Sequence, residues 1–235
     1  MIKQKFKRVF LALDTNKLNS AIKIVNLLKN DLAGIKIGKE LFSCFGPEII
    51  KKFKKFNLPI FLDLKFHDIP TTVYRAVKTI NLIKPNYLSI HSLGGNDMIS
   101  AAVKASRGIK ILSVSLLSHH EQKSINEIGI KNSLKNEIKK LINNALKNNV
   151  HGLILAPKDL EILKQIKKKK IEIFVPGIRP KKIKKNEHKR SLGHLDAIKR
   201  GANYIIVGRP ITKSKNPKRM LKLINEEIKQ YLKKE

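Results

Sequence analysis

Three ionisable side chains interrupt an apolar segment in the first third of the chain. In the stretch FLDLKFHDIPTT, residues 61–72, these side chains are Asp63, Lys65 and Asp68. Alternate side chains of a β-strand share a face, so Asp63 and Lys65 point one way and the leucines beside them point the other. A buried ion is tolerated only when it is paired and hydrogen-bonded. We therefore interpret this segment as a functional site, with a surface ion pair as the alternative.

The rest of the chain predicts the elements that hold this segment. Short β-branched runs alternate eight times with stretches of helical spacing, which favours a single-domain (β/α)8 TIM barrel over residues 1–235. A doubly wound sheet is the alternative, because periodicity does not show closure. The predicted strands are Val9–Leu13, Gly34–Ile37, Ile60–Leu64, Tyr87–His91, Ile111–Leu116, Gly152–Leu155, Ile171–Val175 and Tyr204–Val207. The clearest predicted helices are Leu18–Leu28, Pro47–Lys55, Pro70–Leu82, Leu134–Leu146, Pro157–Ile166 and Pro217–Leu232.

A barrel of this kind gathers its chemistry at the carboxyl ends of the strands. Charged residues do lie there: Asp14 closes the first predicted strand, Lys36 lies in the second, and Asp63 and Lys65 end the third, with Asp68 beyond. A single aspartate after a strand is more often a turn former or helix cap. Several charges at the same end of consecutive strands instead predict a prearranged electrostatic site.

The loops after the last two predicted strands carry motifs that are typical of phosphate-binding loops in such barrels. The seventh is followed by VPGIRP, with Gly177 and Arg179, and the eighth by VGRPIT, with Gly208 and Arg209. Glycine lets backbone N–H groups approach an anion, and the arginine fork matches phosphate oxygens. Glycine turns with surface arginines are the alternative. Because only eight arginines occur among 50 basic residues, two at this position favour the phosphate interpretation.

The formal net charge of +32 raises the question of a nucleic-acid partner. The charge comes mainly from lysines spread over most predicted helices, whereas nucleic-acid readers cluster arginine and aromatic residues on one face. We interpret the excess as compositional drift, and the tract Lys167–Lys170 as a solvated helix end.

The single cysteine, Cys44, excludes an intramolecular disulfide and is expected to pack in the core. No apolar run is long enough for a membrane span, and we expect a cytoplasmic protein.

These residues together resemble a known family over nearly the whole chain. The motifs LALD, IKIGKELF, FLDLKFHDIPTT, PGIRP and VGRPIT occur in the order found in the orotidine 5'-phosphate decarboxylases. Looser relatives on the same barrel share the Asp-x-Lys-x-x-Asp core. The residues that follow it here, Ile69, Pro70 and Thr72, favour the decarboxylase.

The resemblance implies a reaction and assigns the charged residues to it. The reaction would be decarboxylation of orotidine 5'-phosphate to uridine 5'-phosphate, the last step of de novo pyrimidine synthesis, without metal or organic cofactor. Lys65 would stabilise the negative charge that develops at C6 and then protonate it. Asp63 would lie near the departing carboxylate and hold Lys65, with Lys36 and Asp68 completing the charged array.

The resemblance also implies how substrate is bound. Ribose hydroxyls, the pyrimidine edge and the phosphate would each meet a separate group of side chains. Asp68 and Thr72 would reach the site of a neighbouring subunit, which implies a homodimer with shared active sites. In the order ribose, pyrimidine and phosphate, the binding residues would be Asp14 and Lys36, then Ser118, then Arg179, Gly208 and Arg209.

The chain departs from the family pattern in the segment that is expected to close over substrate, residues 181–192. His188 stands where the family has a glutamine that bridges phosphate and pyrimidine. Histidine can still donate to phosphate but lacks the amide's donor and acceptor pair, so we expect weakened affinity without loss of activity. His188→Gln is then expected to lower the Michaelis constant. Ser118 replaces a threonine of close relatives and keeps the hydroxyl.

Two rival functions stay open at this point. A metal-dependent sugar-phosphate decarboxylase or aldolase would retain the charged core and the phosphate loops, and a basic nucleic-acid-binding protein would explain the charge. The histidines show no zinc-ligand spacing, so we expect no metal site. His91 is expected to be a buried, hydrogen-bonded residue at the end of the fourth strand, while His67 is as compatible with an outward as with an inward position.

Overall fold

Eight parallel strands close into a barrel in a computed structural model that describes residues 6–166, 171–179 and 193–234. The strands follow one another in chain order, and the first also pairs with the eighth. The predicted (β/α)8 barrel is confirmed. The strands are β1 (Val9–Leu13), β2 (Gly34–Gly38), β3 (Ile60–Phe66), β4 (Tyr87–His91), β5 (Lys110–Val114), β6 (Gly152–Ile154), β7 (Glu172–Val175) and β8 (Tyr204–Val207).

The helices follow the strands, and the last two come after β8. The three longest of the described helices begin at a proline or a capping side chain. At the last helix, the Asn216 side chain accepts a hydrogen bond from the amide of Arg219 and Pro217 occupies the first turn. The helices are α1 (Leu18–Leu28), α2 (Lys39–Phe45), α3 (Glu48–Lys54), α4 (Pro70–Ile83), α5 (Gly95–Ala105), α6 (Gln122–Glu127), α7 (Leu134–Lys147), α8 (His194–Lys199), α9 (Arg209–Thr212) and α10 (Pro217–Leu232).

Three sequence predictions about these elements were wrong. Pro157–Gln165 is a 3-10 helix with the tighter i to i+3 hydrogen bonding, where an α-helix was predicted. Strand β5 ends at Val114 and not at Leu116, because its partner β6 is only three residues long and their pairing ends there. Cys44 is exposed on α2 and does not pack in the core.

The side chains of each strand point alternately into two apolar layers, one between the sheet and the helices and one inside the barrel. In β1, for example, Val9, Leu11 and Leu13 face outward into the layer between sheet and helices, while Phe10 and Ala12 face the barrel axis. The alternation follows from the two-residue period of a strand. The inward set ends in charged residues at the carboxyl ends of the strands, so the same pattern that buries apolar surface also aims the site residues inward.

Aromatic rings fill the amino-terminal half of the barrel interior. Phe10 contacts Tyr87, Phe174 and Tyr204 with ring centroids 5.2 to 5.9 Å apart, and Phe61 contacts Phe174 at 5.7 Å. Gly34 makes room for this cluster, since a β-carbon there would come within 2.3 Å of the Phe10 ring. These rings, which we call the aromatic plug, leave only the carboxyl-terminal half of the interior open.

Two sequence interpretations concern residues outside the described parts of the chain. The lysine tract 167–170 and the predicted closing segment 181–192, with His188, both lie there. Among the described residues, no helix combines the length and the apolar character that crossing a membrane requires.

Candidate active site

A chain of ion pairs connects the carboxyl ends of β1, β2 and β3. The Lys36 Nζ lies 2.7 Å from Asp14 Oδ1 and 3.8 Å from Asp63 Oδ2, and the Lys65 Nζ lies 2.7 Å from Asp63 Oδ1. One end of the chain is solvated and its middle is buried, since the Asp14 side chain is 58% exposed and that of Asp63 only 11%. Two carboxylates and two ammonium groups thus alternate, as the sequence predicted for a prearranged electrostatic site.

The Asp63 carboxylate is the most constrained member of this chain. Burial by itself raises its pKa, but the charges of Lys65 and Lys36 and hydrogen bonds from Lys65 and Ser89 outweigh that effect and hold the pKa of Asp63 below its ordinary value. Asp63 is therefore ionised at neutral pH although it is buried. A fixed negative charge stands beside the Lys65 ammonium throughout the physiological range.

Gly38 creates the space that the Lys36–Asp14 pair occupies. A β-carbon at Gly38 would lie 2.8 Å from Lys36 Nζ and 3.0 Å from Asp14 Oδ1, and β-carbons rarely approach other atoms so closely. A larger residue at the end of β2 would therefore displace the ion pair. The glycine explains how two charged side chains from adjacent strands can meet above the barrel axis.

Strand β3 departs from regular geometry at the residue predicted to act as proton donor. Lys65 has a φ of +53°, in the left-handed region that non-glycine residues rarely adopt. The pairing with β4 shifts here, from Leu62 opposite Leu88 to Phe66 opposite Ile90. The bulge thus lies at the residue whose ammonium contacts Asp63, and bulges are common beside active sites.

The carboxyl ends of β7 and β8 form a second region, which we call the cradle. Gly177 has a φ of +75°, so the turn after β7 uses a conformation that glycine adopts without strain. Arg179 follows and donates through Nη1 to the Ile178 carbonyl oxygen, 2.9 Å away. Gly208 follows β8, and Arg209 begins α9. Glycine backbone and arginine side chains therefore share one side of the barrel mouth, as predicted.

A cavity of about 900 Å³ separates the ion-pair chain from the cradle. Ser118 lines it, and its predicted contact with the pyrimidine remains a prediction. Apolar inward residues form its floor, so the cavity rests on the inner core of the barrel. Of the predicted site residues, the cavity brings together Asp14, Lys36, Asp63, Lys65, Ser118, Arg179, Gly208 and Arg209.

Two lysines that the sequence analysis did not single out also line the cavity. Lys39 begins α2 directly after Gly38, and Lys213 lies four residues after Arg209, one helical turn along. Their positions after β2 and β8 are the signal that could have identified them. In a chain with 50 basic residues, residue type alone could not.

Asp68 and Thr72 do not line this cavity. Both are exposed, and an Asp68 carboxylate oxygen accepts a hydrogen bond from the amide of Ile69. Ile69 itself is 63% exposed, which is unusual for a large apolar side chain. Within one chain these residues form an exposed surface beside the mouth of the barrel, separate from the ion-pair chain.

The histidines near the site form no metal-binding group. His91 is buried and accepts a hydrogen bond from the Leu93 amide through Nδ1, as expected, while His67 is exposed and stacks on it at 5.4 Å. Burial and the neighbouring charges of His67, Lys65, His120 and Lys39 lower the pKa of His91 to about 4. In the described part of the chain, no three histidine, cysteine or carboxylate side chains cluster so as to hold a metal ion.

The sequence of this chain is similar to those of known orotidine 5'-phosphate decarboxylases. The model of the family described as "Orotidine 5'-phosphate decarboxylase / HUMPS family" matches residues 7–224. The chain is 35% identical over 222 residues to the orotidine 5'-phosphate decarboxylase of Wolbachia pipientis subsp. Culex pipiens, covering 94% of this chain and 98% of that one. It is 34% identical over 223 residues to the enzyme of the same name from Nitrosospira multiformis, covering 94% and 93%.

A solved structure agrees with these sequence relatives. The crystal structure of orotidine 5'-phosphate decarboxylase from Lactobacillus acidophilus superposes with a TM-score of 0.82 at 29% identity, covering 94% of this chain and 99% of that one. The matched region includes both the ion-pair chain and the cradle, since it extends over nearly all of the barrel. The chain belongs to the orotidine 5'-phosphate decarboxylase / HUMPS family.

Proposed function

We propose that this chain converts orotidine 5'-phosphate to uridine 5'-phosphate and carbon dioxide, the last step of de novo pyrimidine nucleotide synthesis. The observation that carries the proposal is the position of the Asp14–Lys36–Asp63–Lys65 chain across a cavity of about 900 Å³ from the cradle. A nucleotide offers matching chemistry, with a phosphate at one end and a reactive base at the other. The names of the family and of its relatives support the same substrate.

In this proposal the phosphate of the substrate lies in the cradle. Arg179 and Arg209 would donate to its oxygens, and the backbone at Gly208 would approach it closely. The ribose hydroxyls would then lie near Asp14 and Lys36, which end adjacent strands. Ser118 would hydrogen-bond the pyrimidine edge, so that C6 of the base faces Lys65.

The proposed chemistry is direct. The bond between C6 and the carboxyl carbon breaks, its electron pair stays on C6, and carbon dioxide leaves. No carbonyl is positioned to delocalise that pair, so the uncatalysed barrier is very high, and enzymes supply up to about 23 kcal/mol of transition-state stabilisation in such cases. The Lys65 ammonium stabilises the carbanion and gives it a proton, and the resulting amine recovers a proton from water. The reaction needs no metal or organic cofactor, because one ammonium supplies both charge and proton.

Asp63 would act by holding this ammonium in place before substrate arrives. Its 2.7 Å contact with Lys65 Nζ and its 3.8 Å contact with Lys36 Nζ leave the cations little freedom to reorient. Charges that are already oriented need no reorganisation when charge develops at C6. The substrate carboxylate would leave from the neighbourhood of the same aspartate, with Lys36 and, in the dimer proposed below, Asp68 of the partner subunit completing the charged array.

We further propose a homodimer in which each subunit completes the site of the other. Asp68 and Thr72 support this, because they are exposed and lie outside the cavity of their own chain, and the exposed Ile69 lies between them. Mixing Lys65→Ala with Asp68→Ala subunits tests it. Each mixed dimer would hold one intact site, so an equimolar mixture is expected to recover about a quarter of wild-type activity. Two inactive variants that stay inactive after subunit exchange would contradict shared sites.

The reaction itself is tested by following the absorbance of orotidine 5'-phosphate. Wild-type protein is expected to consume it at the same rate with and without EDTA, and Lys65→Ala is expected to show no detectable turnover. Lys78→Ala, which changes an exposed lysine on α4, is the matched control and should behave as wild type.

The outcomes separate the alternatives. No turnover by the wild type would refute the proposed reaction. Turnover abolished by EDTA and restored by a divalent cation would favour a metal-dependent sugar-phosphate decarboxylase or aldolase type of chemistry. Binding of RNA or DNA with a steep salt dependence, unaffected by Lys65→Ala, would favour a nucleic-acid-binding protein.

A further inference from the structure

A buried serine hydroxyl joins the side chain of one proposed catalytic residue to the backbone of another. Ser89, in the middle of β4, is fully buried. Its Oγ donates to Asp63 Oδ1 at 2.8 Å and accepts from the backbone N–H of Lys65 at 2.9 Å. The same Asp63 oxygen is the one that contacts Lys65 Nζ at 2.7 Å. One hydroxyl therefore bonds both residues at the point where they meet.

The hydroxyl lies opposite the bulge in β3. Regular pairing ends at Leu62 opposite Leu88 and resumes at Phe66 opposite Ile90, so Ser89 faces the irregular residues between. In an unbroken parallel ladder a backbone carbonyl would accept the Lys65 N–H. Here the serine side chain accepts it instead. The substitute partner matters because the left-handed backbone of Lys65 is unfavourable for lysine and persists only when its surroundings hold it.

We infer that Ser89 is a positioning residue for the proposed decarboxylation, holding the Lys65 backbone and the Asp63 carboxylate in the one arrangement that aims the Lys65 ammonium into the cavity. The inference rests on the proposed function, and Ser89 itself does not line the cavity. It acts through Asp63 and Lys65. The lowered pKa of Asp63, to which the Ser89 hydrogen bond contributes, agrees with this role.

A second buried serine provides a matched control. Ser113, on the adjacent strand β5, is also fully buried, and its hydroxyl pairs with that of Ser92 at 2.7 Å. It lines neither the cavity nor the bulge. Ser113→Ala therefore removes a buried hydroxyl from the same barrel and controls for the general cost of such a change.

The test compares Ser89→Ala and Ser113→Ala in two measurements. In steady-state kinetics with orotidine 5'-phosphate, Ser89→Ala is expected to lower kcat by about 10- to 100-fold, because small misplacements of reacting groups cost this much. KM should change by less than about three-fold, since the residues that bind phosphate and ribose are untouched. Ser113→Ala should keep the wild-type kcat. An unchanged kcat in Ser89→Ala, or an equal loss in both variants, would overturn the inference.

The second measurement does not depend on turnover. Hydrogen exchange at the Lys65 amide is expected to become at least about ten-fold faster in Ser89→Ala than in Ser113→Ala, because that amide loses its acceptor. Equal Lys65 protection in the two variants would refute the positioning role. If the wild-type protein did not decarboxylate the substrate, the proposed function would fail, while the exchange measurement would still decide whether Ser89 holds the bulge.

Discussion

The ion-pair chain and the cradle differ in the charged groups that they bring to the cavity. On the β1 to β3 side, two carboxylates and two ammonium groups compensate one another at 2.7 to 3.8 Å. On the β7 and β8 side, the described cavity-lining residues include Arg179, Arg209 and Lys213 but no carboxylate. The charges of the first region pair with one another without a ligand, whereas the second region lines the cavity with basic side chains only.

This difference suggests a division of labour. A region whose charges are already paired is suited to acting on a developing charge, because nothing has to move when that charge appears. Arginine and lysine side chains that line a cavity are suited to binding an anion that arrives from solvent. We therefore expect substitutions in the two regions to affect different kinetic constants, and the predictions below test that separation.

The largest expected effect belongs to the ion-pair chain. Lys65→Ala should lower kcat by at least about 10⁴-fold, since it removes both the proton source and the cation beside the developing charge. The dissociation constant of uridine 5'-phosphate should change by less than about three-fold, because the cradle remains. Single-turnover kinetics and calorimetric titration measure the two quantities. A variant that retained a tenth of wild-type kcat, or that lost product binding, would contradict the proposed separation of roles between the two regions.

Substitution in the cradle should affect substrate binding more than the chemical step. Arg209→Ala is expected to lower kcat/KM for orotidine 5'-phosphate by about 10³-fold, mainly through KM, because charge-assisted hydrogen bonds to phosphate are lost. The nucleoside orotidine lacks the phosphate, so its much slower turnover should be the same in wild type and variant. Arg219→Ala, an exposed arginine on α10, is the control. An equal loss with nucleotide and nucleoside would show that Arg209 acts elsewhere than on phosphate.

Acid should weaken the fold on the side of the ion-pair chain. The folded-state pKa of His91 is about 4, below the ordinary 6.5, so between these values the unfolded chain binds a proton that the folded chain does not. The free energy of unfolding should therefore decrease as pH falls from 6.5 to 4, by as much as about 3 kcal/mol. Urea unfolding across this range measures it. His91→Asn, which keeps an acceptor for the Leu93 amide, should flatten the slope, and parallel profiles for the two proteins would contradict the assignment.

The smallest effect is expected from the lysines at the rim of the cavity. Lys39→Gln combined with Lys213→Gln should lower kcat/KM by about three-fold at low ionic strength, because fewer charges attract the anionic substrate. The effect should vanish near ~0.5 M salt, where screening is strong. Lys78→Gln combined with Lys218→Gln removes the same charge from exposed helix positions. If both pairs slow the enzyme equally, overall charge and not the rim attracts the substrate.

The sequence predicted the strands well because two constraints act on them at once. Each strand must alternate between an apolar outer layer and the barrel axis, and the residues Val9 to Leu13 show that alternation without interruption. The charged ends of β1 to β3 could be identified for the same reason. Charges at inward positions of apolar strands contradict the pattern, so they stand out.

The bulge at Lys65 could not be predicted, because its signal is absent from the local sequence. Left-handed backbone is normally indicated by glycine or asparagine, and lysine gives no such indication. What holds it is a hydroxyl on β4, 24 residues away in the chain. Ser89 looks like any small strand residue until the pairing of β3 with β4 is known. A single sequence does not predict contacts between strands whose pairing register is irregular.

The aromatic plug has a consequence for the order of events in turnover. Because Phe10, Phe61 and Phe174 fill the barrel axis at its amino-terminal end, substrate and both products of the proposed reaction would share the mouth between the ion-pair chain and the cradle. If the nucleotide binds in the cradle as proposed, carbon dioxide would have to leave through the same mouth that the nucleotide uses. The next substrate cannot enter until that nucleotide leaves. Inhibition by uridine 5'-phosphate should accordingly be competitive, and the residence time of the product sets an upper limit on flux.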